Sequence, residues 1–301
     1  MTLQVATKRG VRADTLSGAV PPPAQVLLSI VSVQLGAVLT KGLFGTVGPA
    51  GAVFLRSACA ALLLVLLWQP RVRGQTRADR ATVLAFGLVL AGMSLAFYAA
   101  LERLPLGAAV TLSFVGPLSV ALIGSRRALD LVWGGCAVAG IVLLGPLSGG
   151  LDPRGAALAL LAGGLWGAYI PLSARTGRAF PGGSGLALAM GVAAVFAAPF
   201  GLAAGGARLL EPSVLFFGLG VAILSSALPF TLEMAALRQL PARAFGILLS
   251  LEPALAALIG ALLLGEGLAL RALLAIGLVI LASVGTTLSA RRAPRDVPIP
   301  A

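Results

Sequence analysis

Apolar runs about as long as a bilayer's hydrocarbon core is thick recur along nearly the whole chain, separated by short polar turns. Ten of them can be drawn, at 26–44, 48–68, 81–101, 105–124, 129–147, 155–173, 184–204, 213–237, 241–263 and 268–288. Lipid offers no hydrogen bonds to a backbone, so such runs must satisfy their own amides as helices. Composition agrees: 58% of the 301 residues are hydrophobic and 11% charged, against roughly 45–50% and 25% in soluble domains. The expectation is an all-α membrane protein of ten transmembrane helices. The turns leave no room for an extramembrane domain, so the chain reads as one bundle.

The net charge of +12 raises the question of nucleic acid. The basic residues sit in short loops without interleaved exposed aromatics, the pattern of orientation signals rather than of a phosphate-binding face. With the N-terminus inside, 16 of the 22 basic residues fall on the cytoplasmic side, among them Arg71, Arg77, Arg126, Arg175, Arg238, Arg243 and Arg291. Lys41, Arg103, Arg154, Arg208 and Arg271 fall outside, and Arg56 lies within a span. Both termini are therefore expected in the cytoplasm. Residues 1–25, ending in Pro21-Pro-Pro23, read as a flexible tail, and 289–301 as a second. No cleavage signal follows a short apolar core, so the first span should remain as a helix. Cys59 and Cys136 lie inside spans without paired spacing and read as packing residues, and histidine is absent. Neither a catalytic group nor a metal or cofactor site is indicated, and no phosphate loop or nucleophile elbow occurs.

The chain also repeats itself. Ala99-Ala-Leu-Glu-Arg-Leu-Pro105 corresponds to Ala235-Ala-Leu-Arg-Gln-Leu-Pro241, Pro117 to Pro253, and Ala121-Leu-Ile-Gly124 to Ala257-Leu-Ile-Gly260, all at an offset of 136 residues. This predicts two five-helix repeats, 26–147 and 148–288. Five is odd, so the second must cross the membrane the other way round. Inverted repeats around a central cavity are the architecture of many secondary transporters, with the substrate held near the midplane.

The costly residues inside the spans are the candidate site. Glu252 sits near the middle of the ninth predicted span, where a carboxylate must be paired, protonated or bathed in water. Glu233 shares a face with Ser226 and Phe230, with Arg238 and Arg243 close enough for an interfacial ion pair. Both acids are candidates for proton coupling or amine binding. Arg56 is the candidate to hold a substrate carboxylate or to neutralise a membrane acid. Gln34, Val38 and Lys41 align on the first span, although Lys41 could simply reach the outer interface. Ser94 and Tyr98 share a face of the third; Phe114, Trp166, Tyr169 and Phe245 supply aromatic walls. Together Gln34, Lys41, Arg56, Ser94, Tyr98, Phe114, Trp166, Tyr169 and Phe245 form the expected substrate-binding set. Pro117, Pro229 and Pro253, like Pro171, each leave a carbonyl four residues back without its amide, which predicts hinges or cavity walls. Gly163, Gly164 and Gly167 allow close helix approach, and Glu266, in a Gly-Glu-Gly turn, reads as solvated or capping.

At these residues the chain resembles a known family. Phe114-Val-Gly-Pro-Leu-Ser-Val-Ala-Leu122, Ser125-Arg-Arg127, Ala222-Ile-Leu-Ser-Ser-Ala-Leu-Pro-Phe-Thr-Leu-Glu-Met234, Leu240-Pro-Ala-Arg-Ala-Phe-Gly246, Ser250-Leu-Glu-Pro-Ala254 and Leu264-Gly-Glu266 resemble the EamA-type, ten-helix branch of the drug/metabolite transporter superfamily. The likeness is greatest to bacterial threonine/homoserine exporters, with aromatic amino acid exporters as near relatives, and it extends over residues 26–290. The resemblance implies an inner-membrane exporter of amino acids and related metabolites, by proton exchange or facilitated diffusion, and no enzyme activity. The small-molecule substrate and the lipid bilayer are the expected partners, and a monomer is compatible with the sequence. A nucleotide-sugar or phosphorylated-metabolite exchanger remains an alternative, and an integral membrane enzyme acting on lipid a remote one.

Overall fold

A computed structural model of the chain describes residues 20–70, 74–123, 128–144, 151–180, 183–237, 239–240 and 248–289. Among these every regular element is helical: α1 (Pro22–Gly42), α2 (Phe44–Trp68), α3 (Arg77–Leu101), α4 (Leu106–Ser113), α5 (Val115–Ile123), α6 (Ala128–Leu144), α7 (Pro153–Ala179), α8 (Ser184–Gly205), α9 (Pro212–Ala222), α10 (Leu228–Leu237), α11 (Glu252–Leu264) and α12 (Leu270–Ser289). A 3-10 turn, Gly206–Leu210, follows α8, and a π-turn, Ile223–Ala227, joins α9 to α10. Among the described residues, five helices are long and apolar enough to cross a membrane: Pro22–Gly42, Phe44–Trp68, Arg77–Leu101, Pro153–Ala179 and Ser184–Leu210. Shorter apolar helices include Leu106–Val120, Pro212–Ala227, Glu252–Leu264 and Leu270–Gly285. Large apolar side chains face outward, including Leu66, Val195, Phe216, Leu262 and Leu270. In water such a surface would aggregate; against acyl chains it costs nothing.

Prolines and glycines set the breaks. Gly48 takes φ 69° and ψ 169° ahead of Pro49, a conformation a side chain would resist, and so turns the chain between α1 and the long part of α2. The predicted span 105–124 falls on two helices, because Pro117 has no amide to give Ser113 and the chain breaks at Phe114. The span 213–237 is divided by the π-turn, where the Leu228 amide reaches back five residues to the Ile223 carbonyl just before Pro229. α11 begins only at Glu252, with Pro253 in its first turn, where the missing amide is harmless. Pro253 is thus a helix-start residue rather than the mid-helix kink expected, and Glu252 stands at a helix N-terminus rather than mid-helix. Outside the described residues lie 1–19 and 290–301 of the tails, and Arg126, Arg127, Arg238, Arg243 and Phe245.

Helices pair across the chain: α1 with α10, α3 with α7, α2 with α8, α4 with α11, and α6 with α12. Two local geometries recur at the spacing seen in the sequence. The Arg103 and Leu104 amides donate to the Ala100 carbonyl at 2.9 and 2.8 Å, and those of Gln239 and Leu240 to the Ala236 carbonyl at 3.0 and 2.8 Å. Phe114 and Ser250, 136 positions apart, each fall in the break before a proline-bearing helix.

Small residues let the helices meet. A Cβ on Gly116 would run into the Gly163 carbonyl, and one on Gly163 would come within 2.6 Å of the Ser113 carbonyl. α7 therefore passes the α4–α5 break backbone against backbone. Gly167 contributes to the same approach, whereas Gly164, expected with it, faces open space.

One end of the bundle, marked by Pro105, is sealed. Leu101, Leu104, Leu106, Leu112, Ala159 and Ala256 are buried in a single cluster there. Across it Lys41 Nζ lies 2.8 Å from Glu266 Oε1, while the Leu106 amide donates to Glu266 Oε2 at 2.7 Å. Arg103 faces Asp152 at 3.7 Å, and Asp152 also accepts from the Gly155 amide at the start of α7.

Candidate functional site

Below this seal, helices from both ends of the sequence enclose a cavity of about 670 Å³. Ala37 and Val110 belong both to the sealing cluster and to the cavity wall, so the cluster is its floor at the Pro105 end. The volume suits a small metabolite.

Most of the residues singled out in the sequence meet here. α1 contributes Gln34, α2 Arg56, and α3 Ser94 and Tyr98. The α4–α5 break contributes Phe114 and Pro117, α7 Trp166 and Tyr169. From the later elements come Pro229, Glu233 and Glu252. Pro253 is buried but does not line the cavity, and Phe245 lies outside the described residues. Lys41 does not reach the cavity either: it is held by Glu266, so the expectation of a substrate-binding lysine gives way to a structural ion pair. Glu266 is accordingly a paired cap on α4 and not a solvated turn residue.

The charged groups are held by neutral partners. Arg56 Nη2 donates to Ser94 Oγ, whose own proton goes to the Leu90 carbonyl at 2.8 Å. The guanidinium carbon lies 5.6 Å from the centroid of the Tyr98 ring, a cation–π distance. Tyr98 is fixed in turn by a 3.3 Å hydrogen bond with Thr40 and by ring contacts with Phe44 and Phe97. No carboxylate among the described residues lies within ion-pair distance of Arg56, so it neutralises no neighbouring acid there. Glu252 is buried and accepts from Gln34 Nε2 at 3.2 Å. Glu233 accepts from Ser29 Oγ at 2.9 Å. α1 thus serves both acids with one uncharged donor each. Among the described residues, the cavity holds one cation without a counterion and two carboxylates without cations.

The aromatic walls are locked in place. Phe114 and Trp166 meet edge to face, with centroids 5.7 Å apart and planes at 84°, across the Gly116–Gly163 contact. Tyr169 packs on Phe86 at 5.3 Å.

Sequence reasoning passes over the lining residues Met93 and Met190 and assigns no binding role to Ser113, Ser225 and Ser226. Serine and methionine are unremarkable in an apolar helix, so composition gives no signal for them. Ser225 and Ser226 could be found from Pro229, which strips the Ser225 carbonyl of its amide. Among the buried polar atoms without a hydrogen-bond partner are Gln34 Oε1, Arg56 Nε, Ser225 Oγ and Ser226 Oγ, all in residues that line this cavity.

An apolar helical bundle enclosing a largely apolar cavity, with a few polar groups and unpaired charge inside, is the anatomy of a membrane transporter. The EamA-like transporter family model matches residues 153–288. Two threonine/homoserine exporters named RhtA are similar over most of the chain. That of Salmonella typhimurium (strain LT2) is 43% identical over 91% of this chain and 94% of its own. That of Escherichia coli (strain K12) is 44% identical over 90% and 92%. A solved crystal structure of a protein superposes with a TM-score of 0.60 at 19% identity, over 89% of this chain and 98% of its own, a likeness of fold. The chain belongs to the EamA-like transporter family. It is a multi-pass membrane transporter and not an enzyme, as the sequence leads one to expect.

Proposed function

We propose that the protein exports amino acids across the bacterial inner membrane by alternating access, with the central cavity as the substrate site. The observation that carries this reading is the charge pattern of the cavity: among the described residues, a guanidinium without a counterion and two carboxylates without cations, an arrangement complementary to a zwitterion. Arg56 holds the substrate carboxylate; Glu252 binds the ammonium group or a proton, with Glu233 beyond it. Gln34, Ser94, Tyr98, Phe114, Trp166 and Tyr169 shape the space between. Such fixed polar groups are a physical necessity, since a zwitterion does not cross hydrocarbon unaided. The similarity to the RhtA exporters over about nine-tenths of the chain supports amino acids as the substrate class. A phosphorylated substrate or nucleotide sugar would meet two carboxylates and a single arginine, which disfavours that alternative.

The architecture behind the reading is ten helices in two inverted five-helix repeats, 26–147 and 148–288. A two-fold axis relating them would exchange the pairs α1·α10 and α7·α3, and would map α2·α8, α4·α11 and α6·α12 onto themselves. The matching helix ends at Leu104 and Leu240 support the same relation. With both termini cytoplasmic, the sealed Pro105 end faces outward and the cavity belongs to the inward-facing state. Pro117, Pro229 and Pro253, each at a helix break, are the hinges. A monomer is compatible with this reading.

The test is efflux of labelled amino acids from proteoliposomes loaded with a panel of them, with and without a pH gradient. Net export of at least one amino acid is expected from the wild-type chain, and the Glu252→Gln variant should lose most of it together with its response to the gradient. Wild-type vesicles that release no amino acid faster than protein-free ones would refute the reading.

A further inference from the structure

We infer that Thr40, in the last turn of α1, is a positioning residue for the substrate carboxylate: it fixes the Tyr98 ring, and the ring in turn sets the guanidinium of Arg56. The inference rests on the reading above that Arg56 binds the carboxylate, and it adds a residue that does not itself touch the substrate.

Arg56 belongs to α2, yet both groups that hold its guanidinium come from α3: Ser94 Oγ accepts from Nη2, and the Tyr98 ring lies 5.6 Å from the guanidinium carbon. Ser94 and Tyr98 are four residues apart and share a face of that helix. Ser94 is anchored within α3, through its bond to the Leu90 carbonyl. Tyr98 is anchored from another helix, its hydroxyl lying 3.3 Å from Thr40 Oγ1. Thr40 has one hydroxyl proton, and a carbonyl can only accept. That proton is committed to the Gly36 carbonyl at 2.6 Å, so in the contact with Thr40 the phenol is the donor. Phe44 and Phe97 flank the ring at 6.2 and 5.8 Å but offer its hydroxyl no oxygen or nitrogen acceptor. The order is therefore Gly36 carbonyl, Thr40 hydroxyl, Tyr98 hydroxyl, and then the Tyr98 ring under Arg56.

A buried phenol whose proton has no acceptor is unfavourable, so without Thr40 Oγ1 the ring shifts toward another partner. The attraction between a cation and a ring needs the charge over the ring face. A shifted ring thus removes one of the two holds on Arg56 and leaves the guanidinium free to depart from the planar, two-pronged geometry that a carboxylate requires. Thr40 is fully buried and does not line the cavity, so its hydroxyl reaches the substrate site by way of the ring. Its neighbour Lys41 is the residue that pairs with Glu266 across the sealed end. The last turn of α1 accordingly serves two purposes side by side, closing the floor through one residue and placing the carboxylate-binding group through the other.

Thr40→Val keeps the shape of the side chain and deletes the hydroxyl. The measurement is efflux from proteoliposomes of the full chain, loaded with the labelled amino acid that the wild-type protein exports fastest from the panel. Thr40→Val should raise KM about threefold to tenfold, the worth of one neutral hydrogen bond, and leave kcat within about twofold. Thr40→Ser, which keeps the hydroxyl, should return KM close to the wild-type value. Tyr98→Phe removes the same bond from its other side and should raise KM as well, and the double variant should be no worse than Thr40→Val alone, since both changes break one link. KM is read on whatever fraction of the protein is folded, and Tyr98→Phe tests the link if Thr40→Val does not reconstitute. KM unchanged in both single variants, increases that multiply in the double variant, a loss confined to kcat, or a serine variant no better than the valine one would overturn the positioning role while leaving amino acid export intact. Wild-type vesicles that release no amino acid would overturn the export reading, and this inference with it.

Discussion

Arg56 illustrates how one residue can be costly to bury and still be retained. It lies in an apolar helix, and its structural partners, Ser94 and the face of Tyr98, are neutral. A carboxylate brought to it gains a charge-assisted, planar hydrogen-bonded pair in low dielectric, worth more than the same contact at a surface. Arg56→Gln is therefore expected to raise the KM for an exported amino acid by about tenfold or more, a loss of roughly 1.5–3 kcal/mol. Arg56→Lys keeps the charge but loses the fork and the stacking on Tyr98, and should fall between the two. The concentration dependence of efflux in vesicles measures both. A KM unmoved in Arg56→Gln would mean that the arginine is a packing residue.

At the level of elements, the decisive contact is the crossing of α7 over the α4–α5 break. Phe114 and Trp166, two walls of the cavity, are positioned by the backbone approach of Gly116 and Gly163. Neither glycine accepts a Cβ without moving a main chain, which is far stiffer than a side chain. Gly116→Ala and Gly163→Ala should each destabilise the protein by about 1–3 kcal/mol, read as a lowered Tm in detergent, and should reduce transport by misplacing the aromatic pair. Gly164→Ala provides the control, because a Cβ there meets nothing within 4 Å. Equal effects at Gly163 and Gly164 would show that the crossing tolerates separation.

For the whole molecule, the question is what keeps one end of the cavity shut. Glu266 binds the end of α1 through Lys41 and the start of α4 through the Leu106 amide, so a single carboxylate joins three elements over the buried Leu101, Leu104 and Leu106. Removing it with Glu266→Gln should weaken the seal and favour the state open at the Pro105 end. Cysteines placed at Ala37 and Val110, on the cavity floor, should then react faster with a membrane-impermeant thiol reagent added from that side, with Cys59 and Cys136 replaced beforehand. Unchanged labelling rates would assign closure to the apolar cluster alone.

Much of this architecture is legible in the amino-acid sequence itself. Charge in an apolar run is so expensive that it must have a purpose, and so Arg56, Glu233 and Glu252 stand out directly, as do the aromatic residues placed among them. The positions of Pro117 and Pro229 foretell broken helices for the same reason: an absent amide is a local fact. What cannot be read along the chain is anything set by a partner distant in sequence. Lys41 reads as a substrate ligand because Glu266, 225 residues away, gives no sign of being its counterion. Glu252 reads as a mid-helix residue because proline alone does not say whether a helix bends or begins. The serines of the π-turn cost little in any helix, and only the packing of α1 against that turn, with Gly36 and Ser32 at the contact, buries the Ser225 hydroxyl between the two elements. Local chemistry determined the class of protein and its costly residues; the pairing of helices from opposite ends of the chain decided which polar groups are satisfied within the protein and which are not.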